Sequence, residues 1–242
     1  MRLTVNGLDQ DIVYDRHAIE ELLAPLLQNW IDQKPGVGRR YAFLAAPPGT
    51  GKSTIAMLLE RHFGSDLQCL GIDGFHYPQE VLDSTTIRDK DGREVPLASI
   101  KGAPETFDVA ALERLLTRSY SEDVRWPAYD RTLHDVVSDG VTVTAHHILL
   151  EGNWLLLDED PWRGLRHHAE LAIFIDAPPA VLQDRLVNRK VAGGLSRTEA
   201  EAFYLRSDGP NAERALSRSR LDSVDLLLAM DANGALHERS KS

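Results

Sequence analysis

The sequence predicts an α/β fold in which a parallel sheet carries helices on both faces. Short apolar runs recur along the chain, and segments with helical spacing of apolar residues separate them. Parallel strands that are buried on both faces have such continuous apolar sequences. The alternation of strands with helices is typical of βαβ units. We count about five parallel strands, and a chain of 242 residues with 43% hydrophobic residues is long enough to bury their core.

The predicted elements follow one another in a regular order. The helices are predicted over 16–33, where Pro25 should kink the chain, and over 52–63, 108–118 and 178–191. The strands are predicted over 41–46, 67–73, 146–153, 170–177 and 223–230. The Gly-Gly stretch 191–201 is predicted to be a flexible joint with a further helix after it. The segment 74–105 is rich in Pro, Gly and Asp, which favours a long functional insertion.

A phosphate-binding sequence joins the first of these strands to its helix. It reads AAPPGTGKST over 45–54, with Ala46 where such loops usually have their first glycine. The start of a helix offers unpaired N–H groups and the positive end of the helix dipole, and the glycines let further N–H groups turn toward phosphate oxygens. The sequence therefore predicts a P-loop and a three-layer P-loop NTPase fold. The predicted nucleotide-binding residues are Ala46, Pro47, Pro48, Gly49, Thr50, Gly51, Lys52, Ser53 and Thr54.

Four side chains near this loop are candidates for the chemistry. Lys52 is expected to reach the β- and γ-phosphates, and the hydroxyl of Ser53 is expected to ligate Mg²⁺. Asp73 and Glu151 each end an apolar strand, and ligands gather at the carboxyl ends of parallel strands. A carboxylate at position 73 can accept a proton from an attacking hydroxyl or hold Mg²⁺ through water. Glu151 is expected near the metal.

Composition and missing motifs exclude several classes of protein. The net charge of −10 argues against binding to nucleic acid or to an anionic membrane surface. No apolar run approaches the 18 residues of a membrane span, and the N-terminal residues lack the pattern of a secretory signal, so we expect a cytoplasmic protein. A GTPase would need an Asn-Lys-x-Asp sequence, which does not occur here.

Five segments together resemble a known family. APPGTGKST, DGFHYP, KGAPETFD, PAYDR and ILLEGNWLLL are similar in order and spacing to segments of the P-loop kinases that include uridine kinase, phosphoribulokinase and bacterial pantothenate kinase. The resemblance spans about residues 38 to 230. It is greatest to a bacterial branch described as nucleoside/nucleotide kinase-like proteins or fructose-transport-system kinases.

This resemblance implies the transfer of the γ-phosphoryl group of ATP, with Mg²⁺, to a hydroxyl of a small metabolite. It implies that Asp73 is the general base, that Lys52 and Ser53 hold phosphate and metal, and that Glu151 belongs to the metal site. It also implies that Arg185 and Arg189, which share one helix face, close over ATP. Self-association is common among relatives, so a homodimer is among the expected states.

The acceptor is expected to bind between the insertion 74–105 and the segment WPAYDRTLHD. The candidate acceptor-binding residues are His76, Tyr77, Lys101, Tyr129, Arg131, Asn153 and Trp154. Asn211, in GPNAER, is a further candidate contact of the acceptor or the lid. Arg131 stands where pantothenate kinase has a histidine, which argues against pantothenate as the acceptor.

These inferences lead to a domain division and leave the acceptor open. We predict an N-terminal helical segment over 1–37 packed on the core, a kinase domain over 38–232 with a lid at 190–200, and a tail over 233–242. The acceptor is expected to be a sugar such as fructose, a nucleoside or a related compound. The alternatives are a pantothenate kinase-like activity, or a nucleotide-binding regulatory ATPase that uses no small-molecule acceptor.

Overall fold

The computed structural model describes residues 2–5, 8–11, 16–33, 36–88, 92–130 and 133–240. Within these residues the α-helices are α1 Ala24–Asp32, α2 Lys52–Phe63, α3 Gln79–Ser84, α4 Val109–Ser119, α5 Pro179–Ala192, α6 Arg197–Phe203 and α7 Gly209–Arg218. The strands in the first half of the chain are β1 Arg2–Val5, β2 Leu8–Asp11, β3 Arg40–Ala45, β4 Leu67–Gly71, β5 Thr86–Arg88 and β6 Glu94–Pro96. Those in the second half are β7 Val124–Asp130, β8 Asp135–Val143, β9 His147–Gly152, β10 Leu171–Asp176, β11 Leu226–Met230 and β12 Leu236–Glu238.

The central sheet has the strand order β12-β11-β10-β3-β9-β4. Strands β4, β9, β3, β10 and β11 run parallel to one another, as the apolar runs predicted. The edge strand β12 runs antiparallel to β11. It lies inside the segment 233–242 for which we predicted a tail, and its three residues are too few to produce a periodic pattern.

Helices cover both faces of this sheet, because successive side chains of a strand point to opposite sides. Tyr41 and Phe43 of β3 belong to an apolar cluster with α4, whereas Ala42 and Leu44 belong to a second cluster with α1, α2 and α5. All four of these β3 residues are fully buried. The α/β prediction with helices on both faces is confirmed.

Two parts of the chain differ from the simple helical or loop segments that the sequence predicts. The segment 16–33 contains a π-helical turn, Ala18–Leu23, followed by α1, and Pro25 lies in the first turn of α1, where its missing N–H is tolerated. The insertion 74–105 contains α3 and the antiparallel pair β5–β6. Two further antiparallel pairs were not predicted: β1–β2, which lies in the segment 1–37 predicted to be helical, and β7–β8, which packs against the turn that follows β4.

Gly74 permits this close packing. A Cβ added at position 74 would overlap the backbone carbonyl of Pro127 in β7. We therefore expect Gly74→Ala to lower the free energy of unfolding by about 3 kcal/mol, since the backbone must shift to admit a methyl group. Urea unfolding followed by circular dichroism measures this change.

Gly164→Ala is the matched control for Gly74→Ala. Nothing lies within 4 Å of a Cβ added at Gly164, so that variant should be neutral or slightly more stable. Equal unfolding midpoints for the two variants would contradict the role assigned to Gly74.

Candidate active site

Three neighbouring strands end at one edge of the sheet and bring the predicted chemistry together. The P-loop follows β3, Glu151 lies near the end of β9, and Asp73 lies two residues beyond β4. In the register of the sheet Glu151 pairs with Leu44 on one side and with Gly71 on the other. The backbone N–H of Ile72 also donates to the carbonyl of Glu151 over 3.1 Å. The sheet therefore places both carboxylates beside the loop.

The loop has the backbone that a phosphate cradle requires. Gly49 and Gly51 have backbone φ angles of +90° and +87°, which residues other than glycine rarely adopt. The hydroxyl of Thr50 donates to the carbonyl of Pro47 over 3.0 Å and stabilises the turn. The methyl group of Ala46 is fully buried in the apolar cluster with α2, so alanine fits where such loops usually have glycine.

Lys52, Ser53 and Glu151 form a compact polar cluster at the start of α2. The hydroxyl of Ser53 donates to Oε1 of Glu151 over 2.7 Å, and Nζ of Lys52 lies 4.0 Å from Oε2. The Lys52 and Glu151 side chains are only 12% and 14% exposed. A hydroxyl and a carboxylate oxygen in contact are hard ligands of the kind that Mg²⁺ prefers. These residues therefore fit a magnesium site.

A cleft of about 220 Å³ opens beside this cluster. It brings together twelve of the residues predicted from the sequence: Pro48, Gly49, Lys52, Ser53, Asp73, His76, Lys101, Tyr129, Glu151, Asn153, Arg189 and Asn211. Residues predicted for the nucleotide and residues predicted for the acceptor thus line one continuous space.

The aromatic and basic residues of the acceptor side contact one another. Nδ1 of His76 donates to the carbonyl of Asp73 over 2.8 Å, and the imidazole packs on Phe107 with 3.8 Å between ring centroids. Nζ of Lys101 donates to Oε1 of Gln79 over 2.7 Å and lies 4.9 Å from the centre of the Tyr129 ring. These contacts hold the insertion against β7.

Some predicted site residues lie elsewhere. Trp154 is fully buried and its indole N–H donates to the carbonyl of Gly102 over 3.0 Å, so the predicted direct contact with an acceptor does not fit its position. Arg185 lies against the P-loop, where Nη1 is 3.4 Å from the carbonyl oxygen of Gly49 and 3.3 Å from that of Thr50. Tyr77 is half-buried beside the cleft, with its backbone N–H bonded to Thr106. Arg131 lies outside the described residues.

The structure adds cleft residues that sequence reasoning missed. Lys190, Phe203 and Asp208 line the cleft together with Asn211, which the sequence predicted as a contact of the acceptor or the lid. Nζ of Lys190 lies 3.7 Å from the centre of the Phe203 ring. Burial raises the pKa of Asp208, although the charges of Arg189 and Lys190 oppose this effect. The signal in the sequence was the Asp-Gly-Pro interruption of a helical segment at 208–210.

The sequence profile of the phosphoribulokinase/uridine kinase family matches residues 43–200. The chain belongs to this family. The resemblance of its five motifs to P-loop kinases is thereby confirmed.

Individual proteins of known sequence or structure are also similar to this chain. YggC of Escherichia coli K12 is 43% identical over 98% of both chains. A putative uridine kinase of Schizosaccharomyces pombe, C227.14, is 31% identical over 66% of this chain and 70% of its own. The crystal structure of a putative fructose transport system kinase from Silicibacter sp. TM1040 superposes with a TM-score of 0.71 at 30% identity, covering 85% of this chain and 98% of that one. The P-loop kinase fold is therefore confirmed.

None of the helices in the described parts of this family member combines the length and the apolar character needed to traverse a lipid bilayer.

Proposed function

We propose that this protein is an ATP- and Mg²⁺-dependent kinase that transfers the γ-phosphoryl group to a hydroxyl of a small metabolite. One observation carries the proposal. Three adjacent strands end in a P-loop, in a carboxylate bonded to the P-loop serine, and in a second carboxylate on the acceptor side of the same cleft. Phosphoryl transfer depends mainly on positioning and charge stabilisation, and this arrangement supplies both.

Each residue has a role that its position supports. The backbone N–H groups of the P-loop and Lys52 would hold the phosphates of ATP. Asp73 would accept the proton of the acceptor hydroxyl as its oxygen bonds to the γ-phosphorus and the bond to the β–γ bridging oxygen breaks, which releases ADP. Arg189 would donate to the oxygens of the transferred group, a task that suits the fork of a guanidinium. Arg185 would brace the P-loop through the carbonyl groups of Gly49 and Thr50.

Ser53 and Glu151 are the residues that would hold Mg²⁺. A bound Mg²⁺ neutralises charge on the β- and γ-phosphates. The hydrogen bond between the two side chains keeps both oxygens at the start of α2, next to Lys52.

The acceptor is proposed to be a sugar such as fructose, a nucleoside or a related compound. The names of the Silicibacter neighbour and of the S. pombe relative point to these two classes. Pantothenate kinase-like activity is the alternative. It rests on the resemblance of the segments DGFHYP and KGAPETFD to the corresponding segments of pantothenate kinase. A regulatory ATPase would have no use for the acceptor-side residues His76, Lys101 and Tyr129, which share the cleft with the P-loop. Cytoplasmic location and a homodimeric state stay predictions.

A coupled ADP-release assay with Mg·ATP tests the proposal. The panel contains fructose and other sugars, sugar phosphates, nucleosides and pantothenate, with an acceptor-free reaction as control. We expect one class to raise ADP release about 100-fold, a barrier difference of about 2.7 kcal/mol. Slow ADP release at the acceptor-free rate across the whole panel would contradict the kinase proposal and favour the regulatory ATPase.

A further inference from the structure

Two buried oxygen atoms in the cleft lack the hydrogen bonds that buried polar atoms normally make. Oδ1 of Asn153 and Oδ2 of Asp208 have no partner among the residues that the structure describes. Both residues line the cleft beside the P-loop. An unsatisfied buried acceptor costs about 1–3 kcal/mol, so two of them in one cleft call for a ligand that donates hydrogen bonds.

A break in regular helical geometry brings Asp208 to this position. Residues Tyr204–Asp208 form a π-helical turn between α6 and α7, which the backbone N–H of Gly209 closes by donating to the carbonyl of Tyr204. Helix α7 follows, and Pro210 lies in its first turn, where the missing N–H of proline is tolerated. Single π-turns inside helices are frequent at functional sites. The wider turn changes the direction in which the side chain at position 208 projects.

Asp208 belongs to the acceptor side of the cleft. The π-turn contacts the short helical turn Leu97–Ile100 of the insertion 74–105. A Cβ added at Gly102 of this insertion would lie 3.6 Å from Nδ2 of Asn211, one turn beyond Asp208. Asn153, two residues after Glu151, lines the same cleft. The two oxygens therefore belong to a cleft that both the phosphoryl-transfer residues and the insertion line.

We propose that Asn153 and Asp208 form a subsite for the hydroxyl groups of an uncharged sugar or polyol, an inference that rests on the proposed kinase function. An amide oxygen accepts hydrogen bonds, as does a carboxylate, and hydroxyl groups donate them. A phosphate ester or a carboxylate in the same place would offer these oxygens no donor at neutral pH and would meet the charge of Asp208. Arg189 and Lys190 line the same cleft and their charges partly offset that of Asp208, but no described residue donates a hydrogen bond to its Oδ2. The ammonium group of Lys101 already donates to Gln79 and to the carbonyl of His134.

Paired acceptors test this inference in the ADP-release assay. Fructose is compared with fructose 1-phosphate and ribose with ribose 5-phosphate, in the wild type and in Asp208→Asn. We expect the wild type to prefer the uncharged member of the pair. We expect Asp208→Asn to raise KM for that sugar about 10- to 100-fold, the usual weight of a hydrogen bond to a charged group, with a smaller change in kcat and an unchanged KM for ATP. The preference over the phosphate ester should shrink in the same variant.

The control variant is Asp184→Asn, since Asp184 is an exposed aspartate on α5 outside the cleft. It should leave every constant unchanged. A wild type that prefers phosphate esters, or an Asp208→Asn variant with unchanged sugar KM, would overturn the subsite and leave the kinase proposal standing. If no acceptor raises ADP release, the binding of fructose and of ribose is measured by calorimetry, which tests the subsite separately from the kinase function. Sugar binding that Asp208→Asn weakens would uphold the subsite alone, and absence of binding would overturn both.

Discussion

Replacing Asp73 by asparagine is expected to lower kcat about 1,000-fold while ATP binds as before. Asparagine has nearly the same shape but cannot accept the proton of the attacking hydroxyl, and a general base contributes about 10²–10⁴ to the rate. Asp73 follows the strand next to that of Glu151 and takes no part in the contacts among Lys52, Ser53 and Glu151. The phosphate-binding residues should therefore keep their positions in the variant. The measurement is kcat with the best acceptor, together with the dissociation constant of Mg·ATP from calorimetry.

Asp222→Asn serves as the control, because Asp222 is exposed in the turn before β11. It should match the wild type in both measurements. Turnover of Asp73→Asn at the wild-type rate would show that another group removes the proton, and loss of ATP affinity would assign Asp73 to the nucleotide site instead.

Replacing Glu151 by glutamine should raise the Mg²⁺ concentration needed for half-maximal activity by about 10- to 100-fold. Loss of a group that orients a metal ligand typically has an effect of this size on metal affinity. Glutamine can still accept the hydrogen bond from Ser53, but it removes the charge that faces Lys52 and the metal. The measurement is ADP release as a function of free Mg²⁺ at saturating ATP.

Glu238→Gln is the matched control for Glu151→Gln, since Glu238 is exposed on β12. Its Mg²⁺ dependence should equal that of the wild type. An unchanged Mg²⁺ dependence in Glu151→Gln would contradict the assignment of Glu151 to the metal site.

The predictable part of the fold consists of elements with a strong local pattern. The helix predicted over 52–63 is found at Lys52–Phe63, because a P-loop glycine begins it and Gly64 follows its last residue. The five parallel strands were predictable because each is a mainly apolar run, and most of their residues are buried. The pair β7–β8 and the strand β12 were missed. Their half-exposed or very short sequences show no such pattern, and their stability depends on partners that lie elsewhere in the chain.

The residues of the candidate site likewise fall into those that a local sequence pattern identifies and those whose position depends on packing. Lys52, Ser53, Asp73 and Glu151 were identified because each occupies a defined place in a local strand, loop or helix pattern. Arg185 and Arg189 were expected to act together, since they share a helix face. In the structure Arg185 lies against the carbonyl groups of Gly49 and Thr50 in the P-loop, whereas Arg189 lines the cleft. Spacing along a helix determines which residues are neighbours, but the packing of that helix decides what each of them contacts.

The sequence by itself determined the α/β class, the P-loop and the family, because these depend on residues that are consecutive or regularly spaced. Only the tertiary structure decided which acceptor-side residues reach the cleft. It buried Trp154 beneath the insertion and brought Asp208 in from a π-turn more than fifty positions after Glu151. The physical reason is that burial and hydrogen-bond satisfaction belong to the packed molecule. An aspartate in a helical segment is ordinary in sequence, and it becomes notable only when packing removes it from water without giving both oxygens a partner.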